Sequence, residues 1–161
     1  MRLKDLKMQL MFIEKIPCII RSIRVKDLEE YHKLLSQLTE TGEYSEIKSK
    51  EQLEIVSQNS RHLIFVIEYK NVLIGCGTVL IEPKFIRNHS MLAHIEDIVI
   101  DEKFRKYGLG KKLIEFLNEI AKLYGCYKAS LNCSDKNVPF YEKCDFEKTA
   151  VQMTHRFISK L

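Results

Sequence analysis

The feature that most constrains the fold is a strand, a basic glycine-containing loop and a long amphipathic helix that follow one another over residues 91–124. Residues 91–100 end in a dense run of apolar, β-branched side chains, which predicts a central strand. Apolar residues repeat at helical spacing through residues 108–124, which predicts a helix with one buried face. A unit of this kind requires a sheet whose faces are covered by helices.

The remaining elements follow from the same two periodicities. Asp27 is the predicted cap of a first helix that ends near residues 39–42, and Ser49 with Gln52 has the capping-box spacing for a second. The predicted order is strand 18–24, these two helices, hairpin strands 62–69 and 72–81, strand 91–100, helix 108–124, strand 127–133, short helix 137–144 and strand 149–157. This order predicts an α/β fold with a mixed sheet and helices on its faces.

Residues 1–16 are interpreted as an N-terminal extension and residues 17–161 as a single domain. The extension has four apolar residues at helix-like spacing, which leaves an amphipathic helix and a frayed tail as alternatives: Leu3, Leu6, Leu10 and Ile13. Its longest uncharged run is too short for an export signal or a membrane span. No repeat or flexible linker interrupts the rest, and 161 residues suffice for one substantial core.

Composition argues against several classes of protein. The 26 Lys and Arg residues exceed the 22 Asp and Glu residues only slightly, so the net charge of +4 suits phosphorylated small molecules but is too weak to indicate nucleic acid. Five cysteines without a C-x-x-C pair favour reduced thiols in an intracellular, cytoplasmic protein. The five histidines show no metal-ligand spacing, so we expect no metal.

The loop at residues 105–110 carries the clearest chemistry. Glycine lets the backbone approach a ligand closely, and the free amides and dipole of a first helical turn favour a phosphate. The loop and the helix start also carry four cations: Arg105, Lys106, Lys111 and Lys112. We interpret the pattern as a pyrophosphate cradle, with an ordinary strand-to-helix turn as the alternative. It lacks the Gly-Lys-Ser/Thr of a P-loop and the third glycine of a dinucleotide fingerprint.

Two motifs resemble the GNAT acetyltransferase superfamily. Residues 105–110 are similar to its (Q/R)-x-x-G-x-G/A signature, and residues 137–146 to its N-x-x-x-(F/Y)-Y-x-x-x-G-F segment. The resemblance implies a mostly antiparallel central sheet, acetyl-CoA as co-substrate, and Tyr141 as the acid that protonates the departing thiolate. It also implies acetyl-CoA contacts at Ile98, Val99, Ile100, Arg105, Lys106, Tyr107, Gly108, Leu109, Gly110, Asn137 and Tyr141. Asp145 replaces the usual glycine, which Asp tolerates because it adopts left-handed backbone more readily than most residues.

A longer similarity, over residues 34–157, is to the glucosamine 6-phosphate N-acetyltransferases within that superfamily. It implies that Thr39 contacts the sugar phosphate, and that Arg156 reaches the neighbouring subunit's site in a homodimer. Cationic side chains can form ion pairs with the phosphate dianion, and acidic side chains can do so with the protonated amine. The substrate residues implied are Thr39, Lys84, Phe85, Ile86, Arg87, Glu96, Asp97, Asn132 and Arg156. Asn132 stands where the family usually has an acid, so it keeps an acceptor but loses the charge.

The resemblance further implies direct acetyl transfer to the 2-amino group of glucosamine 6-phosphate, a step in UDP-N-acetylglucosamine biosynthesis. Glu96 or Asp97 would accept the amine proton, and backbone amides beside Ile98 would stabilise the oxyanion. The alternatives are another amine acceptor, a non-catalytic acyl-CoA-binding module, and a covalent route through Cys126 or Cys133.

Overall fold

The computed structural model describes residues 8–13 and 16–157, in which one sheet has six strands. The strands are β1 Met8–Ile13, β2 Ile16–Ser22, β3 His62–Tyr69, β4 Val72–Pro83, β5 Met91–Ile100 and β6 Cys126–Ser130. The helices are α1 Leu28–Leu35, α2 Glu46–Gln58, the single turn α3 Ile86–His89, α4 Leu109–Leu123 and α5 Val138–Glu142. Short 3₁₀ turns lie at Val25–Asp27, Glu102–Phe104 and Asp135–Asn137.

The strands lie in sequence order across the sheet, from β1 at one edge to β6 at the other. The first four pairings are antiparallel, and β5 with β6 is parallel. A parallel pair needs a crossover connection, which α4 supplies. The prediction of an α/β fold with a mostly antiparallel sheet flanked by helices is therefore confirmed.

Helix α4 packs on one face of the sheet through the apolar stripe that its sequence predicts. Leu113 and Leu117 are fully buried, and the rings of Phe65 and Phe116 meet edge to face with centroids 4.9 Å apart. Each such buried side chain contributes about 1.5–3 kcal/mol to stability. Helix α1 covers the opposite face, where Leu34 packs into a second buried cluster. The core thus fixes the position of α4 and of the loop that precedes it.

The hairpin of β3 and β4 turns at Lys70 and Asn71, as predicted. Both residues have positive φ, 50° and 63°, which a two-residue turn between twisted strands requires. Strand β5 has the predicted bounds.

The interpretation of the N-terminal segment was wrong for residues 8–13. They form strand β1, antiparallel to β2 from Met8 opposite Arg21 to Ile13 opposite Ile16. Pairing with an open strand edge overrides a weak helical spacing, because it satisfies the backbone hydrogen bonds of both segments. Residues 1–7 and 14–15 lie outside the described part of the chain.

The strand predicted at residues 149–157 is also absent from the structure. The described part of this segment has no regular structure and is exposed, with Val151, Met153 and Phe157 at 84%, 89% and 91%. A strand needs a hydrogen-bonded neighbour, and within the residues described here this segment has none.

The predicted cap of the second helix was wrong, and that of the first was right in position. Helix α2 begins at Glu46, where the Ser45 hydroxyl accepts a hydrogen bond from Lys48 N at 3.4 Å. Asp27 is the N-cap residue of α1, as predicted, but its carboxylate accepts hydrogen bonds from the buried Arg21 guanidinium and from Arg24 N, and none from α1. An ion pair with a buried arginine is the stronger interaction for this carboxylate. Strand β3 has the predicted bounds, and the remaining element ends differ from the predicted ones by a few residues, as with α1, which ends at Leu35.

Candidate active site

Strand β5 is interrupted by a bulge at Asp97. Cys76 pairs with Val99 and Thr78 pairs with Glu96, so two residues of β5 face only Gly77 of β4. Asp97 takes up the extra length with a left-handed backbone, φ 52°, and its carbonyl oxygen accepts a bond from the Cys76 thiol at 3.7 Å. A bulge of this kind bends a strand and redirects the groups that follow it.

Strand β5 separates from β6 after His94, shortly before the bulge. The two strands pair only from Met91 opposite Cys126 to His94 opposite Ser130, and no described residue pairs with β5 on that side further along. The backbone edge of residues 95–100 therefore faces an opening, where its peptide groups can bind a ligand. Val99 is one of the predicted acetyl-CoA contacts. Its side chain is buried, so only its backbone can contact a ligand.

The N-terminus of α4 lies at the far end of the same strand. Arg105 Nε donates a hydrogen bond to Ile100 O at 3.0 Å, which ties the basic loop to β5. Gly108, with φ 72°, precedes the helix, and the loop cations around it are exposed. A Cβ on Gly110 would lie 3.1 Å from Phe140 Cζ, so this glycine lets α5 pack against the start of α4. The free first-turn amides and surrounding cations fit a diphosphate.

Tyr141 on α5 borders the opening from the other side. Its ring contacts Phe140 and Phe146, with centroid distances of 5.0 and 6.1 Å. Burial raises the pKa of Tyr141, and the neighbouring Cys133, Cys144 and Glu96 raise it further. The phenol is therefore protonated at neutral pH and can donate a proton. Asn137 is at the start of α5, and Asp145, just after it, has φ 64°.

Glu96 and Asn132 lie on the two sides of the separation. Strand β6 ends at Ser130, and Asn132, two residues later, lines the same cavity as Tyr141. Burial raises the pKa of Glu96, the adjacent Asp97 raises it further, and His94 opposes them. A carboxylate with a raised pKa is a better proton acceptor near neutral pH. The structure thus brings Glu96 within electrostatic range of Tyr141, and it packs the start of α4 against α5 through Gly110 and Phe140.

Sequence reasoning missed Gln37, which joins the end of α1 to the loop after β5. Its amide nitrogen donates to Asp101 Oδ2 at 3.0 Å, and its amide oxygen accepts from Glu102 N at 3.1 Å. These two hydrogen bonds of Gln37 hold Thr39, two residues later, near the end of β5. A contact between residues 64 apart leaves no periodic signal in one sequence.

The other predicted substrate residues lie elsewhere. Lys84 N bonds to Ser90 O just before β5 begins, whereas Thr39 lies beside its end, and ten strand residues separate the two by about 30 Å. The Lys84 ammonium pairs with Glu82 at 2.5 Å, and the Arg87 guanidinium lies 6.0 Å from the Tyr127 ring centroid. Arg87 is exposed, and so are three further predicted residues: Phe85, Ile86 and Arg156. One chain does not place Thr39 together with the substrate loop.

Three further observations bear on a covalent route, a metal site and a membrane span. Burial raises the pKa of Cys126, so its thiol is less nucleophilic than an exposed one. Within residues 8–13 and 16–157 no three His, Cys, Asp or Glu side chains cluster as metal ligands. The helices of the described chain are also too short or too polar to cross a membrane.

An open strand edge that leads into a basic, glycine-initiated helix is the arrangement expected of an acyl-CoA-dependent acyltransferase. The acetyltransferase (GNAT) family model matches residues 28–146, from the start of α1 to just past α5, and the chain belongs to this family. The matched residues include both sides of the opening.

Within the family, one group of relatives is similar over most of the chain. The glucosamine 6-phosphate N-acetyltransferase of Arabidopsis thaliana is 41% identical over 142 residues, 86% of this chain and 95% of that protein. Glucosamine 6-phosphate N-acetyltransferase 1 of Dictyostelium discoideum is 41% identical over 137 residues, 83% of this chain and 87% of that one. The crystal structure of the Arabidopsis thaliana enzyme superposes with a TM-score of 0.84 at 39% identity, covering 88% and 99% of the two chains. The resemblance inferred from the motifs is confirmed.

Proposed function

We propose that this chain transfers the acetyl group of acetyl-CoA to the 2-amino group of D-glucosamine 6-phosphate, giving N-acetyl-D-glucosamine 6-phosphate and CoA. The observation that carries the acceptor is the similarity, over more than four fifths of the chain, to enzymes named for this reaction. The opening between β5 and β6 supplies a place for the transfer.

Acetyl-CoA binds along the open edge of β5 and over the start of α4 in this proposal. The backbone of residues 98–100 faces the pantetheine arm, and the first-turn amides after Gly108 face the diphosphate. Arg105 and Lys106 contribute charge, and Leu109, which is almost fully buried, contributes only its backbone. Asn137, at the start of α5, closes the opposite side.

Transfer is direct, with no acyl-enzyme. The substrate ammonium loses one proton to Glu96, directly or through one water, and the amine nitrogen attacks the thioester carbon. The nitrogen of the tetrahedral intermediate then releases a second proton to water. Backbone amides beside Ile98 stabilise the oxyanion, the C–S bond breaks, and Tyr141 gives its proton to the thiolate. Water returns a proton to Tyr141 after the thiolate has left. The raised pKa values of Glu96 and Tyr141 support these two roles. Asp97, on the left-handed bulge, is the second candidate for the base.

The acceptor site is completed by a second copy of the chain in this proposal. Residues 149–157 carry three exposed apolar side chains, those of Val151, Met153 and Phe157. A cavity of about 740 Å³ lies beside β6, the edge strand of the sheet. A homodimer in which this segment pairs with the partner would carry Arg156 into the neighbouring site. It would also bring Thr39 of one copy near Lys84 and Arg87 of the other. We also propose a cytoplasmic location, a place in UDP-N-acetylglucosamine biosynthesis, and no nucleic-acid partner.

The deciding experiment is CoA release from acetyl-CoA with glucosamine 6-phosphate, beside glucosamine, glucose 6-phosphate, spermidine and a peptide amine. Turnover that needs both the amine and the phosphate is expected. Turnover with another amine would leave an acetyltransferase of different specificity. Binding of CoA with no turnover on any acceptor would favour the non-catalytic module.

A further inference from the structure

Two consecutive residues of β4 hold the bulge of β5 from opposite faces of the sheet. The Cys76 thiol, fully buried in the cluster beneath α1, donates a hydrogen bond to Asp97 O at 3.7 Å. Gly77 leaves space on the α4 face, where a Cβ would lie 2.6 Å from Ile98 Cδ1 and 3.0 Å from Leu117 Cδ1. The Asp97 carbonyl and the Ile98 side chain are therefore fixed on either side of the peptide bond that joins these two residues.

The direction of one N–H bond follows from this arrangement. A peptide unit is planar, and in the trans form its C=O and N–H bonds point in opposite directions. The peptide between Asp97 and Ile98 is trans. Because its carbonyl oxygen is turned towards Cys76 on β4, the Ile98 N–H is turned away from β4, towards the edge of β5 that β6 leaves open.

The Cys76 sulfur remains a hydrogen-bond donor at neutral pH. Burial and the charge of Asp97 raise the pKa of the Cys76 thiol to about 12, against a backbone hydrogen bond from Val99 that lowers it. The thiol therefore keeps its proton and can donate it to a carbonyl. Left-handed backbone is sparsely populated by residues other than glycine, so the φ of 52° at Asp97 depends on contacts that hold it.

We propose that Cys76 is a positioning residue: by holding the Asp97 carbonyl, its thiol directs the Ile98 N–H at the oxygen of the acetyl thioester. This inference rests on the proposed function, in which amides beside Ile98 stabilise the oxyanion. Such a donor is effective when its direction is fixed before charge develops on the oxygen. Because that charge develops only as the amine attacks, Cys76 contributes to the transition state and not to the binding of either substrate. The sequence alone indicated only a reduced thiol at this position.

The kinetic test removes the thiol and then restores a donor. Cys76→Ala should lower kcat for glucosamine 6-phosphate by about 10–10²-fold, with KM for both substrates within about twofold of wild type. Cys76→Val, which fills the space without a donor, should behave in the same way. Cys76→Ser, which supplies a hydroxyl donor, should recover kcat to within about fivefold of wild type. Cys18→Ala, which removes an equally buried thiol from β2, is the matched control and should leave kcat unchanged.

The direction of the Ile98 N–H can be measured without turnover. Its residual dipolar coupling, recorded by NMR in weakly aligned ¹⁵N-labelled protein, should change in Cys76→Ala and Cys76→Val. The coupling should keep the wild-type value in Cys76→Ser and Cys18→Ala.

Three results would overturn the inference. They are an Ile98 coupling that stays at the wild-type value in Cys76→Ala and Cys76→Val, a kcat no lower in these variants than in Cys18→Ala, and a folded Cys76→Ser protein that does not regain kcat. Wild-type protein that fails to acetylate glucosamine 6-phosphate, while the coupling changes as expected, overturns the proposed function alone, because the coupling reports the direction of the N–H bond in the absence of substrate.

Discussion

The two halves of the proposed reaction are built differently. The donor side consists of the bulged end of β5, the start of α4 and Tyr141 on α5, and the core of one chain holds all three. The acceptor-phosphate side is dispersed, with Thr39 beside the end of β5 and the loop of Lys84 about 30 Å away along the strand. Acetyl transfer requires a fixed donor geometry in every member of such a family, whereas the acceptor varies. The core of one chain can hold the donor geometry fixed. Exposed segments that become ordered against a partner subunit can vary with the acceptor.

The largest effect should come from removing the base on the donor side. Glu96→Gln should lower kcat at neutral pH by about 10²–10⁴-fold, because an amide cannot accept the amine proton. Its KM for acetyl-CoA should change little. Steady-state kinetics of CoA release would measure both constants.

Two comparisons sharpen this result. Glu54→Gln, an exposed change on α2, should leave kcat unaltered. If Asp97→Asn loses more activity than Glu96→Gln, then Asp97 is the base and the assignment to Glu96 is wrong.

Tyr141→Phe should lower kcat by about 10–10²-fold, since the ring still packs but cannot protonate the thiolate. Acetyl-CoA affinity measured by calorimetry should stay close to wild type. Tyr44→Phe, in a tyrosine whose ring packs on His32, is the control. Unchanged turnover in Tyr141→Phe would reduce this residue to a packing role against Phe140 and Phe146.

The next prediction concerns the dispersed side. Arg156→Ala should raise KM for glucosamine 6-phosphate by about tenfold or more through loss of a phosphate contact, with KM for acetyl-CoA unchanged. Arg61→Ala, another exposed arginine, should have no such effect.

Mixing subunits tests whether Arg156 acts across a dimer. When Glu96→Gln and Arg156→Ala proteins are refolded together in equal amounts, one site in each mixed dimer regains both residues. With glucosamine 6-phosphate well below its KM, where Arg156→Ala alone is about tenfold less active, activity should then recover to about a quarter of wild type. No recovery, or a monomer in sedimentation, would place Arg156 at its own chain's site and contradict the shared arrangement.

The same contrast explains what the sequence could predict. The bounds of β5, the hairpin turn at Lys70 and Asn71, and the stripe of α4 all follow from local periodicity, and the structure confirms them. The predictions for residues 8–13, which form strand β1, and for the irregular segment 149–157 were wrong, because strand formation depends on a neighbour that local sequence does not specify. The bulge at Asp97 was missed for a related reason. It arises from the mismatch in length between two paired strands, and its only local sign is a pair of adjacent acids.

The smallest predicted effect separates backbone geometry from ligand binding on the donor side. Gly108 and Gly125 share φ 72°, and a Cβ on either would meet nothing within 4 Å. Alanine should therefore cost each site about 1 kcal/mol of stability through left-handed strain, with no clash. Only Gly108 precedes the helix turn assigned to the diphosphate, so Gly108→Ala alone should weaken acetyl-CoA binding, by about two- to fivefold. Equal losses of acetyl-CoA affinity in Gly108→Ala and Gly125→Ala would mean that the loop before α4 serves the fold and not the ligand, and would remove the diphosphate from this end of β5.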